Sequence, residues 1–517
     1  MTTELPGLTV SVPPPAPLPP PLRTDVAGFI GATRRGPIGT PVRVESLNDY
    51  QDVFGDLDPD AATSYAVHGY YENGGELAWV IRVAGAVTTA AATWSVAGQD
   101  GFLPVKAYQV VAASPGSWAE GGQVTVWYQS GSLAGPAEVN VRVAIPGETV
   151  EVFTRIPAKQ IAERLADSHL IRLVPMLGSG GGAGDGGPAR QGKVSQLALS
   201  RDPNAAPDSG PGIDDYLAAV QALADQPEVA IVATPDLGRH LTSDDDRRAV
   251  VAALLSTAAS QMDRLVLIDV PSEPSDSSGK TLAPLGALAW ASAVLPADPT
   301  QRRAAAVYYP GLLVPDPLGG LTAPLRALPP SGHVAGVISR LDRERGAYYT
   351  PANVALEDAV DLDPALTEPE QEAVFAVGLN LLRCAPGRGL QVWGGRTLDV
   401  TASPASYVAH RRLVHRLVRA VRQVADPLVF DVNGPELRLN LVRGVTSVLL
   451  AAFRAGALAG NLPQQAFQVV CDDTNNPPGT DPGQIVCDIA VAPAMPMEFI
   501  NLRLILGQQS QAEVIEA

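Results

Sequence analysis

The chain has 517 residues, a net charge of −17 and 46% hydrophobic side chains. That hydrophobic share supports several buried cores and excludes wholesale disorder. With only 18% charged residues, 49 Gly and 47 Pro, a coiled-coil rod is excluded, and the acidic balance argues against a protein that coats nucleic acid with its whole surface.

The N-terminus opens with LTVSV (Leu8–Val12), which alternates like a short strand, followed by PPPAPLPPP at residues 13–21. Such a proline run holds a polyproline II conformation of about 3.1 Å per residue. Residues 1–24 therefore read as an arm, able to pair with its own domain or to reach a neighbour, with a frayed terminus as the equal alternative. Residues 25–85 contain two strand-like runs, VAGFIGA and LAWVIRVAG, around a helix through Tyr65–Tyr71. From 86 to 200 the pattern changes. QVTVWYQ and EVNVRVAI alternate at period two, the signature of an antiparallel sheet, and the region ends near the glycine-rich stretch Gly178–Pro188. Residues 201–400 alternate helical runs (IDDYLAAVQALADQ, DDRRAVVAALLSTAASQM) with strand runs (EVAIVATPD, RLVLIDVP, AAAVYYPGL), while HVAGVISRLD fits either. This alternation predicts a mostly parallel sheet covered by helices. Residues 401–498 give two long helices and then strands, and 499–517 a terminal strand and tail. The expected fold is an α/β core with an inserted antiparallel β domain, an α+β C-terminal domain and extended terminal arms.

Targeting and redox signals are sparse. No uncharged apolar run reaches the length of about 18 residues that spans a bilayer, and the start lacks the basic and apolar segments of a secretory signal. The expectation is synthesis and assembly in the cytoplasm. Three cysteines, Cys384, Cys471 and Cys487, are too few for a disulfide framework. No C-x-x-C or H-E-x-x-H occurs, so neither a metal nor a cofactor is expected.

Several motifs imitate active sites. Gly187–Val194, GPARQGKV, fits a phosphate-binding loop but lacks the Ser or Thr that would hold Mg²⁺, and Gly279-Lys280-Thr281 lacks the first glycine. Asp208-Ser209-Gly210, the GHVAG run at Gly332–Gly336 and Gly444–Ser447 occur in the order Asp, His, Ser, faintly resembling the catalytic segments of subtilisin-type proteases. A working triad needs the Asp at a strand end and the Ser on a glycine-rich helix start. Asp208 instead lies in a proline-rich loop, Ser447 inside a helical run, and His333 reads as a packed or turn histidine.

The sharpest helix is SYVAHRRLVHRLVRAVRQV at 406–424. Tyr407, Leu413, Val414, Leu417, Val418, Val421 and Val424 share one arc, with Arg411, Arg412, Arg416, Arg419 and Arg422 opposite. No acid lies between Asp399 and Asp426, so no local i,i+4 partner exists. The five arginines predict a basic face for an acidic surface, with an ordinary solvated face as the alternative. At the other end of this region, in FINLRLIL, Ile500, Leu502, Leu504 and Leu506 share one side of a strand. That strand suits addition to another subunit's sheet and equally suits completion of its own domain.

The segments PGLTVSV, VAGFIGATRRGPIGTPVRVESLNDYQDVFG, YAVHGYYENGGELAWVIRV, AAVYYPGLLVPDP, PPSGHVAGVISRLDRERGAYYTPAN, RGLQVWGGRTL, FQVVCDDTNN and VAPAMPMEFINLRL together resemble the sheath proteins of contractile phage tails and related injection systems. The match runs in order along the chain, thinning to SPGSW between about 86 and 200. The resemblance implies a non-catalytic, subtilisin-like core and a helical stack of six-subunit rings around an inner tube. It further implies contraction that drives the tube through an envelope, with baseplate and tail-terminator or cap proteins as partners. It implies strand exchange between subunits through the arms, for which Leu8, Val10, Val12, Ile500, Leu502, Leu504 and Leu506 are the expected residues. The C-terminal domain would face the tube, making Arg411, Arg412, Arg416, Arg419 and Arg422 the expected contacts and the helix at Pro435–Ala455, with Arg438, Arg443 and Arg454, the next choice. Nucleic acid and membrane insertion are not expected. Two rival readings remain: a subtilisin-like serine hydrolase acting through Ser447, and a binding module that uses the arginine face.

Overall fold

In a computed structural model of the chain, the described residues are 22–96, 106–129, 138–157, 160–176, 194–205, 207–273, 280–401, 403–477, 483–494, 500–507 and 510–516. The Pro-rich arm with Leu8, Val10 and Val12, the glycine-rich stretch 178–188 and most of the GPARQGKV motif lie outside them. The chain divides into one compact unit over Arg23–His415 and another that contains Arg416–Ala517, the boundary falling inside a helix.

The larger unit is built on a nine-stranded sheet. From one edge, its strands are Val354–Ala355, Gly389–Val392, Leu379–Ala385, Ala305–Tyr309, Leu265–Asp269, Ile231–Ala233, Ala27–Gly31, Ala78–Arg82 and Val42–Val44. The six central strands are parallel, and antiparallel strands close both edges. Strands such as AGFIG and AAVYY are apolar throughout and buried at every position, as a sheet covered on both faces requires. Alternate residues serve opposite cores. Ile30, Ile81, Val232, Val266, Ile268 and Val307 pack under the helices Ile213–Ala224, Asp244–Gln261 and Pro284–Val294. Phe29, Val80, Ile231, Leu265, Leu267 and Tyr308 pack under Leu47–Phe54, Ala62–Glu72 and Ser331–Arg345. The ambiguous run HVAGVISRLD is thus a helix.

That helix lies unusually close to Ala62–Glu72. A Cβ added at Gly332 would stand 2.2 Å from the Ala66 carbonyl oxygen, and one at Gly336 2.4 Å from that of Tyr70. From the other side, a Cβ on Gly69 would stand 2.2 Å from the His333 ring. Glycine inside a helix costs about 1 kcal/mol relative to alanine, and here it is what lets the two backbones touch. The GHVAG spacing is a packing motif. Gly332→Ala is expected to destabilise the unit by about 1–3 kcal/mol through overpacking, in spite of alanine's better helix propensity. An unchanged urea midpoint in that variant would remove the close contact as the reason for the glycine.

Between Ala78–Arg82 and Ile231–Ala233 the chain leaves the core and forms two small antiparallel sheets. One contains Val194–Ala198, Gln123–Gln129, Glu138–Ala144 and Glu151–Pro157, and the other Ala91–Val96, Lys106–Ala112 and Ile171–Pro175. Val110, Val124, Val126, Val139, Val141, Val143, Ile156 and Ile171 give this insertion its own core. Its two ends run side by side. Ser209 N donates to the Ala86 carbonyl at 3.0 Å and Ala86 N to Ser209 Oγ at 2.9 Å, while Ala91 and Ser200 exchange backbone bonds of 2.9 and 3.2 Å.

The C-terminal region begins with the helix Val408–Ala425, which crosses the boundary between units, and continues with Pro435–Arg454. A four-stranded antiparallel sheet follows in the order Phe467–Val470, Gln484–Val491, Ile500–Gly507 and Ser510–Glu516. Pro435–Arg454 buries Leu437, Leu441, Val445 and Leu449, one residue per turn, which leaves its opposite face to solvent.

Candidate functional site

In an open α/β sheet a ligand site is expected outside the carboxyl ends of the strands, where the strand order reverses. Here the reversal lies at Ala27–Gly31. The chain next adds Ala78–Arg82 on one side, and the later strands Ile231–Ala233, Leu265–Asp269 and Ala305–Tyr309 extend the other. The crevice at that point is filled by a side chain of the protein itself. Asp236, wholly buried just beyond Ile231–Ala233, accepts bonds at Oδ1 from Ala62 N (2.6 Å) and at Oδ2 from Ala32 N (3.0 Å), Thr63 N (3.1 Å) and Thr63 Oγ1 (2.5 Å). Its carboxylate thereby caps the N-terminus of Ala62–Glu72, where negative charge is favoured. A neighbouring carboxyl repeats the device: Asp269 accepts from Ser331 N (3.1 Å) and Ser331 Oγ (2.5 Å) at the start of Ser331–Arg345. Burial pushes Asp269 up to about 7, with the two bonds from Ser331 opposing the shift. The space left beside Asp269, Pro235, Pro271 and Pro329 is about 20 Å³, room for little more than one water. A wider hollow of about 440 Å³ in the insertion is lined by Ala91, Ala92, Gln109, Gln196, Leu197, Ala198 and Ser200, none of which titrates.

Two of the three protease-like residues are engaged structurally, and the third lies on an exposed helix face. Asp208 pairs with Arg201 at 2.8 Å and accepts from Thr88 N at 3.2 Å. His333 is wholly buried against Gly69, and burial lowers its pKa to about 4. Ser447 lies in mid-helix on the exposed side of Pro435–Arg454. Of the second phosphate-loop echo, Thr281 is buried and its amide donates to Asp363 at 3.1 Å. Among the described residues no group of three His, Cys, Asp or Glu is placed to hold a metal ion, and no helix is long and apolar enough to cross a membrane.

The arginine helix differs from its expected form. Its apolar arc is buried from Leu413 to Val424, with Tyr407 half-buried, but Arg411, Arg412 and Arg419 are only 2%, 3% and 2% exposed, and Arg416 and Arg422 are half-buried. Arg412 is also paired. Its Nη2 lies 2.5 Å from Asp342 Oδ2 and 2.8 Å from the Thr24 carbonyl oxygen. The expectation of five open guanidiniums is therefore corrected. The missing acid is supplied by tertiary structure, 70 residues upstream in sequence, where no i,i+4 count finds it. Arg411, Arg412 and Arg419 are buried side chains in this chain.

The helix Pro435–Arg454 does present charge. Arg443 and Arg454 are exposed on the side opposite its buried stripe, while Arg438 pairs with Asp473 at 3.0 Å. The loop just before it carries Phe430 and Val432, which are 90% and 88% exposed, the kind of apolar display that marks an interaction surface. Sequence reasoning did not single out either residue. The run LVFDVNG does show two apolar side chains among turn formers, which was the available signal. The strand Ile500–Gly507, which holds Ile500, Leu502, Leu504 and Leu506, pairs within its own chain on both sides, with Gln484–Val491 and Ser510–Glu516.

Comparison with known proteins agrees with this architecture. Residues 210–398 match the profile of the phage tail sheath protein central domain. The tail sheath protein of Vibrio phage KVP40 is 26% identical over 184 residues, which is 35% of this chain and 26% of that protein's length. Among solved structures, the sheath tail protein Lin1278 of Listeria innocua superposes with a TM-score of 0.65 at 12% identity, covering 94% of this chain and 95% of that one. The contracted helical sheath of the anti-feeding prophage gives 0.55 at 20% identity, covering 96% and 98%. The contracted sheath of the extracellular contractile injection system PVC gives 0.53 at 16%, covering 96% of each chain. The structural likenesses are of a mixed α/β fold with several sheets. Residues 210–398 are thus similar to the central domain of tail sheath proteins, and the fold of the chain is similar to that of sheath proteins of contractile systems, while the chain matches only about a quarter of the curated relative's length.

Proposed function

We propose that this protein is the repeating subunit of a contractile sheath, polymerising as a helical stack of six-membered rings around an inner tube and shortening to drive that tube through an envelope. The observation that carries the reading is the match of the core to the sheath central domain together with likeness of fold to contracted sheaths along almost the whole chain. The sealed switch-point crevice supports a structural role, since the place where a doubly wound sheet takes a substrate is given over to holding a helix. The core is a subtilisin-like scaffold without catalysis. Assembly takes place in the bacterial cytoplasm, on a baseplate and under a terminator or cap, before release as a phage tail or an extracellular particle. Leu8, Val10 and Val12 and the strand with Ile500, Leu502, Leu504 and Leu506 link neighbours by strand exchange. In the assembled sheath the intrachain pairing of Ile500–Gly507 is exchanged for pairing with another subunit.

The tube-facing surface is the open side of Pro435–Arg454, with Arg443, Arg454 and the exposed Phe430 and Val432. Arg443→Glu combined with Arg454→Glu is expected to abolish co-assembly with the tube protein at moderate salt while leaving the melting temperature unchanged, since exposed substitutions stay within about 0.5 kcal/mol. Negative-stain electron microscopy of the purified protein, alone and with its tube protein, reads both results. Striated hollow cylinders are expected from the unaltered chain. A stable monomer under both conditions would end the sheath reading, and cylinders around tubes from the double variant would move the contact elsewhere.

A further inference from the structure

The cysteines of the C-terminal unit face each other across a strand pair. Phe467–Val470 and Gln484–Val491 are antiparallel, with Phe467 opposite Val491 and Val470 opposite Asp488. One step further in the same register sets Cys471 opposite Cys487. The chain beyond Cys471 is held against the facing strand rather than turning away from it. Asn476 Nδ2 donates to the Val486 carbonyl at 2.8 Å, and Val486 N donates to Asn476 Oδ1 at 2.7 Å. Cys487 belongs to the buried side of its strand, with Ile485, Ile489 and Val491. It is wholly enclosed, while Cys471 retains 8% exposure. Both are free thiols. Directly opposed residues of an antiparallel pair have Cβ atoms about 4.5–5.5 Å apart, and a disulfide closes at about 3.5–4.5 Å, so closure needs only a small approach of the strands.

We infer that Cys471 and Cys487 form a cross-strand dithiol that a small-molecule disulfide closes to an intrachain staple and that thiols reopen. The thiolate of Cys471, the less enclosed of the two, attacks one sulfur of R–S–S–R and expels one thiolate, which takes up a proton as RSH. The Cys487 thiol then gives up its proton and attacks the Cys471 sulfur of the mixed disulfide, expelling the second RSH. Two protein thiols are oxidised and one small disulfide is reduced to two thiols. The order of attack follows the local electrostatics. The Cys471 thiol is shifted below its usual range by the hydrogen bond from Cys487 and by the nearby Arg438 guanidinium, whereas Cys487 is shifted upward by the same bond and by burial. The closed bond ties Phe467–Val470 to Gln484–Val491, the strand that also pairs with Ile500–Gly507, so it fixes the base of the terminal sheet. The inference concerns two thiols of one chain and does not depend on assembly.

The full chain carrying Cys384→Ser, which removes the exposed third thiol, is incubated with oxidised glutathione, unfolded, alkylated and mapped by mass spectrometry. The expected result is a linked Cys471–Cys487 peptide, lost on treatment with dithiothreitol, and an unfolding midpoint raised by several degrees in the oxidised form. In the same background Cys487→Ser is expected to accumulate a glutathione adduct at Cys471, and Cys471→Ser to leave Cys487 reduced. Alkylation of both thiols after unfolding, a glutathione adduct at Cys471 that does not progress in the chain with both thiols, or links between chains would each overturn the inference.

Discussion

Asp236→Ala is expected to cost about 4 kcal/mol or more of folding stability. The carboxylate accepts three backbone N–H groups and the Thr63 hydroxyl inside a closed space. Removing a buried acceptor leaves each donor with a desolvation penalty of about 1–3 kcal/mol, and the cavity adds to it. No water takes the vacated place easily, because Gly31 passes so close that a Cβ there would stand 1.8 Å from Thr63 Oγ1 and 2.8 Å from Asp236 Oδ2. Asp236→Asn keeps one acceptor oxygen and should fall between, and Thr63→Val, which deletes one donor and its partner bond, should cost about 1 kcal/mol. Urea denaturation followed by circular dichroism gives the ordering. If Asp236→Ala unfolds within about 1 kcal/mol of the unaltered chain, the carboxylate is not what seals the switch point.

Charge reversal at Arg412 should be a folding defect and not an assembly defect. Arg412 and Asp342 are 3% and 7% exposed at the side chain and lie 2.5 Å apart. Removing one member of a buried pair strands the other charge, at a cost of about 3–5 kcal/mol. Arg412→Glu adds repulsion to that loss, so aggregation or a strongly lowered melting temperature is expected before any effect on polymerisation can be read. Arg412→Ala combined with Asp342→Ala should recover part of the loss, because no charge is left alone. Should Arg412→Glu melt with the unaltered chain while failing to assemble, the guanidinium belongs to an interface after all. The contrast with Arg443→Glu, exposed and expected to be silent in folding, makes thermal melting the deciding measurement.

What the residues showed on their own depended on how far apart the interacting partners lie. Runs such as AAVYY and RLVLIDVP announced buried parallel strands because their covering helices also appear as separate periodic runs. EVNVRVAI announced an antiparallel insertion because alternation is a local pattern. The helix Val408–Ala425 was legible for the same reason, and its apolar arc is buried as its periodicity requires. The other face was misread because periodicity records which side is apolar and says nothing about whether the polar side is covered. Arg412 reaches an acid 70 residues away, and Asp236 reaches Thr63 across 173 residues. No window contains such pairs. The GHVAG glycines were visible from the start, but a glycine that admits a neighbouring backbone looks the same in sequence as one that shapes a catalytic loop. Only the approach of Ala66 and Tyr70 separates the two.

The entry and exit of the insertion are paired with each other, so the chain leaves and re-enters the core at one place. Ala86 and Ser209 already touch, and Ala91 and Ser200 repeat the contact further out, so the scaffold sees the insertion as a hairpin with two anchored feet. Whatever joins those feet adds little closure entropy to the core, since loop cost grows only slowly with length. A foreign domain whose ends lie side by side is therefore a compatible replacement. What replaces it must still meet the arginines of the core, because Glu148 of the insertion pairs with Arg34 at 2.6 Å and Arg35 at 3.2 Å, and the Pro115 carbonyl accepts from Arg82 at 2.8 Å.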